Sequence, residues 1–223
     1  MPRKVYAVFI GLLLILSGSV LKDTTGPPTP TTLVQAASAQ GPPAAAPAVP
    51  AAAPAPPSEK VLPGNYNPQS NDYDCGPTAG HNLATTMGHD LSVDALHALM
   101  NTTTDGTFSV HEFTAGLDKA LGGPVYAPHD VDKNDTVAQT AAKLGPDLVT
   151  AVVNDHGAGV NVKGEWTDTN GDTHGPYKGH YIAVIGYTRN GIEIADSADP
   201  AHTRYSVTIL ELAKAVGDKG WSS

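Results

Sequence analysis

Gln69-Ser-Asn-Asp-Tyr-Asp-Cys75-Gly76-Pro77-Thr78 is the stretch on which the reading of this chain turns. Cys75 is the only cysteine among 223 residues. It cannot be half of an internal disulfide, so its thiol is free. Its neighbours Asp72, Tyr73, Asp74, Gly76 and Pro77 make a polar turn rather than an apolar core run. Pro77 lacks an N–H and suits the first turn of a helix, and Gly76 allows another backbone to approach closely. The pattern predicts a helix from Thr78 to Met87, ended by Gly88. A thiol at such a helix start feels the positive end of the dipole and several unpaired N–H groups, and both favour the thiolate. The competing reading is a buried, inert thiol at an ordinary helix start.

Far downstream, Gly179-His180-Tyr-Ile-Ala-Val-Ile-Gly186-Tyr187 reads as an apolar strand led by a histidine. Arg189-Asn190-Gly191 is a tight turn, and Ile192-Glu-Ile-Ala-Asp196 a second strand. In such a hairpin His180 and Asp196 fall roughly opposite one another, and a slip of one residue would turn Asp196 to the other face. Asp199, before Pro200, is the alternative acid. Cysteine on a helix, histidine on a strand and an acid on the next strand is an order suited to nucleophilic thiol chemistry. Of the other histidines, His81, His89, His97, His111, His129 and His202 read as polar residues of turns or helices. His156 and His174 flank a glycine-rich loop and could replace His180 if the strand assignment failed.

Gln69 before Cys75-Gly76-Pro77, then Gly179-His180-Tyr181 opening a strand that ends in Gly186-Tyr187, then Asp196-Ser-Ala-Asp199-Pro200, resembles the papain-like peptidases of the bacteriocin-processing (double-glycine) family. The likeness is nearer to their stand-alone secreted members and covers roughly residues 61 to 221. It implies a papain-like α+β fold, with a helical half carrying the nucleophile packed on an antiparallel sheet carrying the histidine. It also implies Cys75 as nucleophile, His180 as general base, Asp196 as the residue orienting that base and Gln69 as oxyanion-hole side chain.

Between these ends the patterning is generic. Ser92 opens a short amphipathic stretch with Val93, Leu96, Leu99 and Met100 at helical spacing. Ser109-Val-His-Glu112 is a capping box for a helix running to Gly122-Gly123, and Thr208-Ile-Leu-Glu211 another for a last helix to Gly217. Thr136 to Leu144 predicts a helix ended by Gly145-Pro146, and Asp147 to Val153 a buried strand. Tyr205-Ser-Val207 is a further short strand. Asp168-Thr-Asn170-Gly-Asp172 has the spacing of half a calcium loop but lacks its glycine and closing glutamate, so it reads as a polar loop.

Arg3-Lys4, the apolar run from Val5 to Leu16 and Ser17-Gly18-Ser19 have the anatomy of a signal peptide. Residues 1–39 are therefore expected to be a signal peptide or an N-terminal anchor, 40–58 a Pro/Ala-rich linker of polyproline character and 59–223 one domain. The formal net charge of −9 becomes −11 without Arg3, Lys4, Lys22 and Asp23. That balance argues against nucleic acid and anionic membrane surfaces as partners. No cofactor or metal is expected, since one cysteine and scattered histidines lack ligand spacing.

Together these features predict a secreted or envelope-located monomeric cysteine peptidase acting on a peptide or protein, with no membrane insertion beyond a possible N-terminal anchor. Two alternatives stay open: a hydrolase of peptidoglycan stem peptides, and a catalytically inactive peptide-binding module of the same fold.

Overall fold

The computed structural model describes residues 55–223. The expected signal or anchor segment (1–39) and residues 40–54 of the linker lie outside them. In chain order the elements are β1 (Lys60–Val61), α1 (Cys75–Thr86), α2 (Val93–Leu99), α3 (Val110–Leu121), β2 (Pro128–His129), α4 (Val137–Val153) and β3 (Ala158–Thr167). They continue with β4 (Thr173–Tyr187), β5 (Ile192–Ala195), β6 (Arg204–Val207), α5 (Ile209–Val216) and β7 (Trp221–Ser222). The strands form one antiparallel sheet in the order β2-β7-β3-β4-β5-β6, with β1 beside the end of β4.

Alternation along β4 decides the layering, because successive side chains point to opposite faces. Tyr181, Ala183 and Ile185 join Cys75, Leu83, Leu96, Phe113 and Leu117 in one apolar cluster. Ile182 and Val184 join Leu144, Leu148, Leu212 and Val216 in another. The sheet is thus covered by α1–α3 on one face and by α4 and α5 on the other. A strand buried on both faces reads as a continuous apolar run, as residues 181–187 do. The α+β arrangement is the one expected, with the helices divided between two faces rather than gathered in one half.

Two sequence expectations fail in the middle of the chain. The helix predicted to stop at Gly145-Pro146 runs on, and Asp147 to Val153 is its last part rather than a strand. Its buried residues Thr140, Ala141, Leu144, Leu148, Ala151 and Val152 recur at three- and four-residue spacing and line one face. Pro146 removes one N–H, but its carbonyl accepts from Thr150 Oγ1 at 2.8 Å, and packing of the apolar face outweighs the lost bond. A seven-residue run rich in branched and apolar residues cannot by itself be told from a buried strand.

The supposed glycine-rich loop is β3, paired with β4 from Ala158↔Val184 to Thr167↔Thr173. His180 therefore lies inside β4, opposite Val162, and does not open the strand. Gly159 has a steric role: a Cβ there would lie 2.3 Å from Phe113, whose ring stacks on Tyr181 at 4.8 Å.

The predicted hairpin forms, with Thr188 and Gly191 exchanging backbone bonds of 2.8 and 3.3 Å around Arg189-Asn190. A bulge between Val184 and Gly186 then sets the register Val184↔Ile194 and Ala183↔Ala195. Continued, this register puts Asp196 beside Ile182, two residues from the pairing expected with His180. An offset of two keeps the face, and diagonal neighbours of this kind are within reach of long side chains.

Candidate active site

Helix α1 begins at Cys75, with Asp74 as N-cap. The Asp74 carbonyl accepts the Thr78 N–H at 2.9 Å, while its carboxylate pairs with Nδ1 of His97 on α2 at 2.7 Å. His97, read from sequence as a polar residue of a helix, is thus tied to the residue before the thiol. Asn71 Oδ1 accepts the N–H groups of Tyr73 and Asp74, both at 3.1 Å, and its amide donates to the Asp74 carboxylate. These bonds fix the turn that leads from Gln69 to Cys75. The close approach at Gly76 is by a side chain, not a backbone: a Cβ there would lie 2.3 Å from Thr107 Oγ1.

Cys75, His180 and Asp196 are all buried and form one chain of contacts. His180 Nε2 donates to Asp196 Oδ1 at 2.7 Å. Asp196 also accepts from Tyr205 Oη at 2.9 Å and from the Ala198 N–H at 2.9 Å. Tyr205 Oη in turn accepts from Trp166 Nε1 at 3.2 Å. The Tyr177 ring stacks on the imidazole at 4.4 Å. With Nε2 taken, Nδ1 is the ring nitrogen left for the Cys75 thiol, to which His180 is hydrogen-bonded.

The electrostatics follow from this chain. Burial pushes the Cys75 thiol up, but the His180 hydrogen bond and charge, with the Tyr181 and Gly76 N–H groups, bring it below its usual value. Burial pulls His180 down, but Asp196 and Cys75 together raise it to about 9. Burial also pushes the Asp196 carboxyl up, and its bonds to His180, Ala198 and Tyr205 hold it low. The arrangement favours a thiolate–imidazolium pair steadied by a carboxylate.

Gln69 lines the same cleft, a cavity of about 380 Å³ shared with Cys75, Tyr177, Gly179, His180 and Ser197. Its Oε1 accepts from Ser197 Oγ at 2.9 Å, and its Nε2 donates to the Asn71 carbonyl at 2.8 Å. One Nε2 hydrogen is left over. Among the described residues the Cys75 N–H has no hydrogen-bond partner. A larger cavity of about 800 Å³ beside Tyr66, His81 and Arg204 does not include Cys75, and its size does not make up for the missing nucleophile.

The competing residues are engaged elsewhere. Asp199 accepts from the backbone of Ala201 and pairs with His202 at 2.9 Å. His174 is buried against Tyr205 at 3.8 Å, with Nε2 3.5 Å from Asp168. His156 sits edge-on to Tyr126 and bonds Gly157. His81 is buried between the Leu91 carbonyl and Asn67. Asp168 Oδ1 accepts the N–H groups of Asn170 and Asp172 at 2.8 and 2.9 Å, which makes this loop the turn between β3 and β4. Among the described residues there is no group of three or more His, Cys, Asp or Glu placed to hold a metal ion. No described helix is long and apolar enough to cross a membrane.

The Peptidase_C39 like family matches residues 61–221. Among solved structures, the chain is similar to the peptidase domain of Streptococcus ComA, a bi-functional ABC transporter involved in a quorum sensing pathway. That pair has 23% identity, covers 73% of this chain and 94% of the other, and has a TM-score of 0.44. It is also similar to a C39-like peptidase from Bacillus anthracis, at 13% identity over 74% of this chain and 96% of the other, with a TM-score of 0.51. The latter likeness bears on the fold alone. No curated protein gives a significant match.

Proposed function

This chain belongs to the Peptidase_C39 like family, and from that premise we propose that it is an exported cysteine peptidase working through Cys75, His180, Asp196 and Gln69. The observation that carries this reading is the buried chain from thiol to imidazole to carboxylate, open to a cleft at the thiol. The Cys75 thiolate attacks the scissile carbonyl carbon. The developing oxyanion accepts from the free Cys75 N–H and the spare Gln69 amide hydrogen. As the C–N bond breaks, the His180 imidazolium gives its proton to the leaving amine, and a thioester remains. Water then loses a proton to His180 and attacks the thioester, releasing the acid and restoring the thiol. Asp196 holds the ring in one tautomer and supports its positive charge.

Export is supported by Arg3-Lys4 and the apolar run from Val5 to Leu16. The net charge of −9 supports a peptide rather than a nucleic acid as substrate. The test is an intact-mass profile of mixed linear peptides and peptidoglycan stem peptides incubated with the protein and with its Cys75→Ala variant. Cysteine-dependent cleavage of linear peptides is the expected result. Cleavage of stem peptides alone would make this a wall hydrolase, and no cleavage with an unreactive thiol would make it a binding module.

A further inference from the structure

Ser197 joins two parts of the site that the chain keeps far apart. It follows Asp196 directly, whereas Gln69 lies 128 residues earlier, on the segment leading into α1. Strand β5 ends at Ala195. The Asp196 N–H donates to the Thr203 carbonyl at 2.9 Å, and the Asp196 carboxylate accepts the Ala198 N–H at 2.9 Å. A carboxylate that binds its own backbone two residues on bends the chain at the residue between them. Asp196 then serves His180, while Ser197, itself buried, serves Gln69. The Ser197 carbonyl accepts the Gln69 backbone N–H at 2.9 Å. Its hydroxyl donates to Gln69 Oε1, also at 2.9 Å.

Which atoms can donate fixes the direction of each bond. A carbonyl only accepts, so the Asn71 carbonyl takes a hydrogen of Gln69 Nε2. Gln69 Oε1 also only accepts, so Ser197 supplies that proton. Turning the amide over would set Oε1 against the Asn71 carbonyl, two acceptors together. The Asn71 bond alone holds Nε2 but lets the amide plane pivot about it. The Ser197 bond, on the other terminal atom, stops that pivot and fixes where the remaining Nε2 hydrogen points. Stabilising an oxyanion depends on donors aimed in advance at the place where charge develops. The backbone bond places Gln69, and the hydroxyl aims its amide.

On the peptidase reading above, we propose that the Ser197 hydroxyl is a positioning group for the oxyanion hole, holding the Gln69 amide in the orientation that receives the developing charge. Among the described residues it makes no hydrogen bond to the thiol or the imidazole. One bend of the chain thereby sets both the acid that orients the base and the side-chain donor for the oxyanion. Ser197→Ala removes the hydroxyl and keeps the backbone bond to Gln69 and the turn at Asp196.

Two small reagents separate aiming of the amide from any effect on the thiol. p-Nitrophenyl acetate acylates the Cys75 thiolate through a tetrahedral oxyanion, with nitrophenolate leaving. Iodoacetamide alkylates the same thiolate by displacing iodide, with no oxyanion. Both rates are measured on full-length protein, on Ser197→Ala, Gln69→Ala and the double variant, and on Cys75→Ala as background. Ser197→Ala should lower the Cys75-dependent acylation rate by about fivefold or more, with the iodoacetamide rate and its pH midpoint as in wild type. In the Gln69→Ala background the same substitution should change acylation by less than about twofold, because the amide it aims is gone. Ser197→Gly also removes the hydroxyl and gives the reading if the alanine variant does not fold.

Unchanged acylation in Ser197→Ala overturns the positioning role while the peptidase reading stands. So does an effect that adds in full to that of Gln69→Ala, or a shifted iodoacetamide midpoint, which would mean that Ser197 acts through Asp196. Acylation unaffected by Gln69→Ala overturns the role of Gln69 and that of Ser197 with it. Acylation equal in wild type and Cys75→Ala overturns the peptidase reading and this inference together.

Discussion

Strand β4 carries two buried histidines, each beside a buried aspartate, and Tyr205 touches both pairs. His180 lies 2.7 Å from Asp196, and His174 lies 3.5 Å from Asp168. Tyr205 donates to Asp196 and stacks its ring on His174. Residue types and burial are the same, so neither explains a difference in role. His180 faces a thiol at a helix start and a cleft. Among the described residues His174 Nε2 faces Asp168 and no nucleophile, and its ring lies against Tyr205 and Trp166. A buried histidine–aspartate pair becomes a candidate base only where a reacting atom can reach it.

The hardest way to break this comparison is to remove each histidine in turn. His180→Ala and Cys75→Ala should each lower kcat by about 10⁵-fold or more. His174→Ala should cost about 1–3 kcal/mol of stability through lost packing, with most of the turnover retained. Peptide cleavage and urea unfolding of the three variants check this.

The two acids come next. Asp196→Asn should lower kcat by roughly 10³-fold, because the ring loses both its tautomer and its counter-charge. Asp199→Asn and Asp168→Asn should leave kcat near wild type, since neither residue touches His180.

Much of this comparison was legible in the sequence, and the reasons differ by residue. Cys75-Gly76-Pro77 announces a helix start by backbone chemistry that nothing distant can alter. Asp196 lies beside His180 although the register differs from the one expected, because an offset of two residues keeps it on the same face. The path of Asp147 to Val153 was hidden, since its period emerges only when joined to Thr140 and Leu144 across a proline. Strand β3 was hidden by its glycines, of which Gly159 serves the Phe113 ring rather than flexibility. His97 carried no local signal, because its partner Asp74 lies on another element.

Gln69 tests the cleft at smaller scale. Gln69→Ala should lower kcat by about 10²-fold through the oxyanion. Its bonds to Ser197 and Asn71 mean that some stability, about 1 kcal/mol, is lost as well. Unchanged kcat with lower stability would make it a structural residue only.

The pH dependence of turnover gives a smaller effect. The imidazolium must be present to protonate the leaving amine, and His180 is raised to about 9. Turnover should therefore fall by about tenfold per pH unit above that value. Towards acid, its limb should lie below the ordinary thiol pKa, because the Cys75 thiol is lowered. A single rising limb with no alkaline fall would argue against His180 as the acid.

The central claim is that His180 makes Cys75 a thiolate, and the most direct measurement is the rate of iodoacetamide alkylation of Cys75 against pH in wild type and His180→Ala. The wild-type midpoint should lie below the ordinary thiol value of about 8.5. In His180→Ala it should rise toward that value, because burial pushes the thiol up and only the Tyr181 and Gly76 N–H groups are left to oppose it. A wild-type midpoint at or above about 8.5, or the same midpoint in both proteins, would contradict the account.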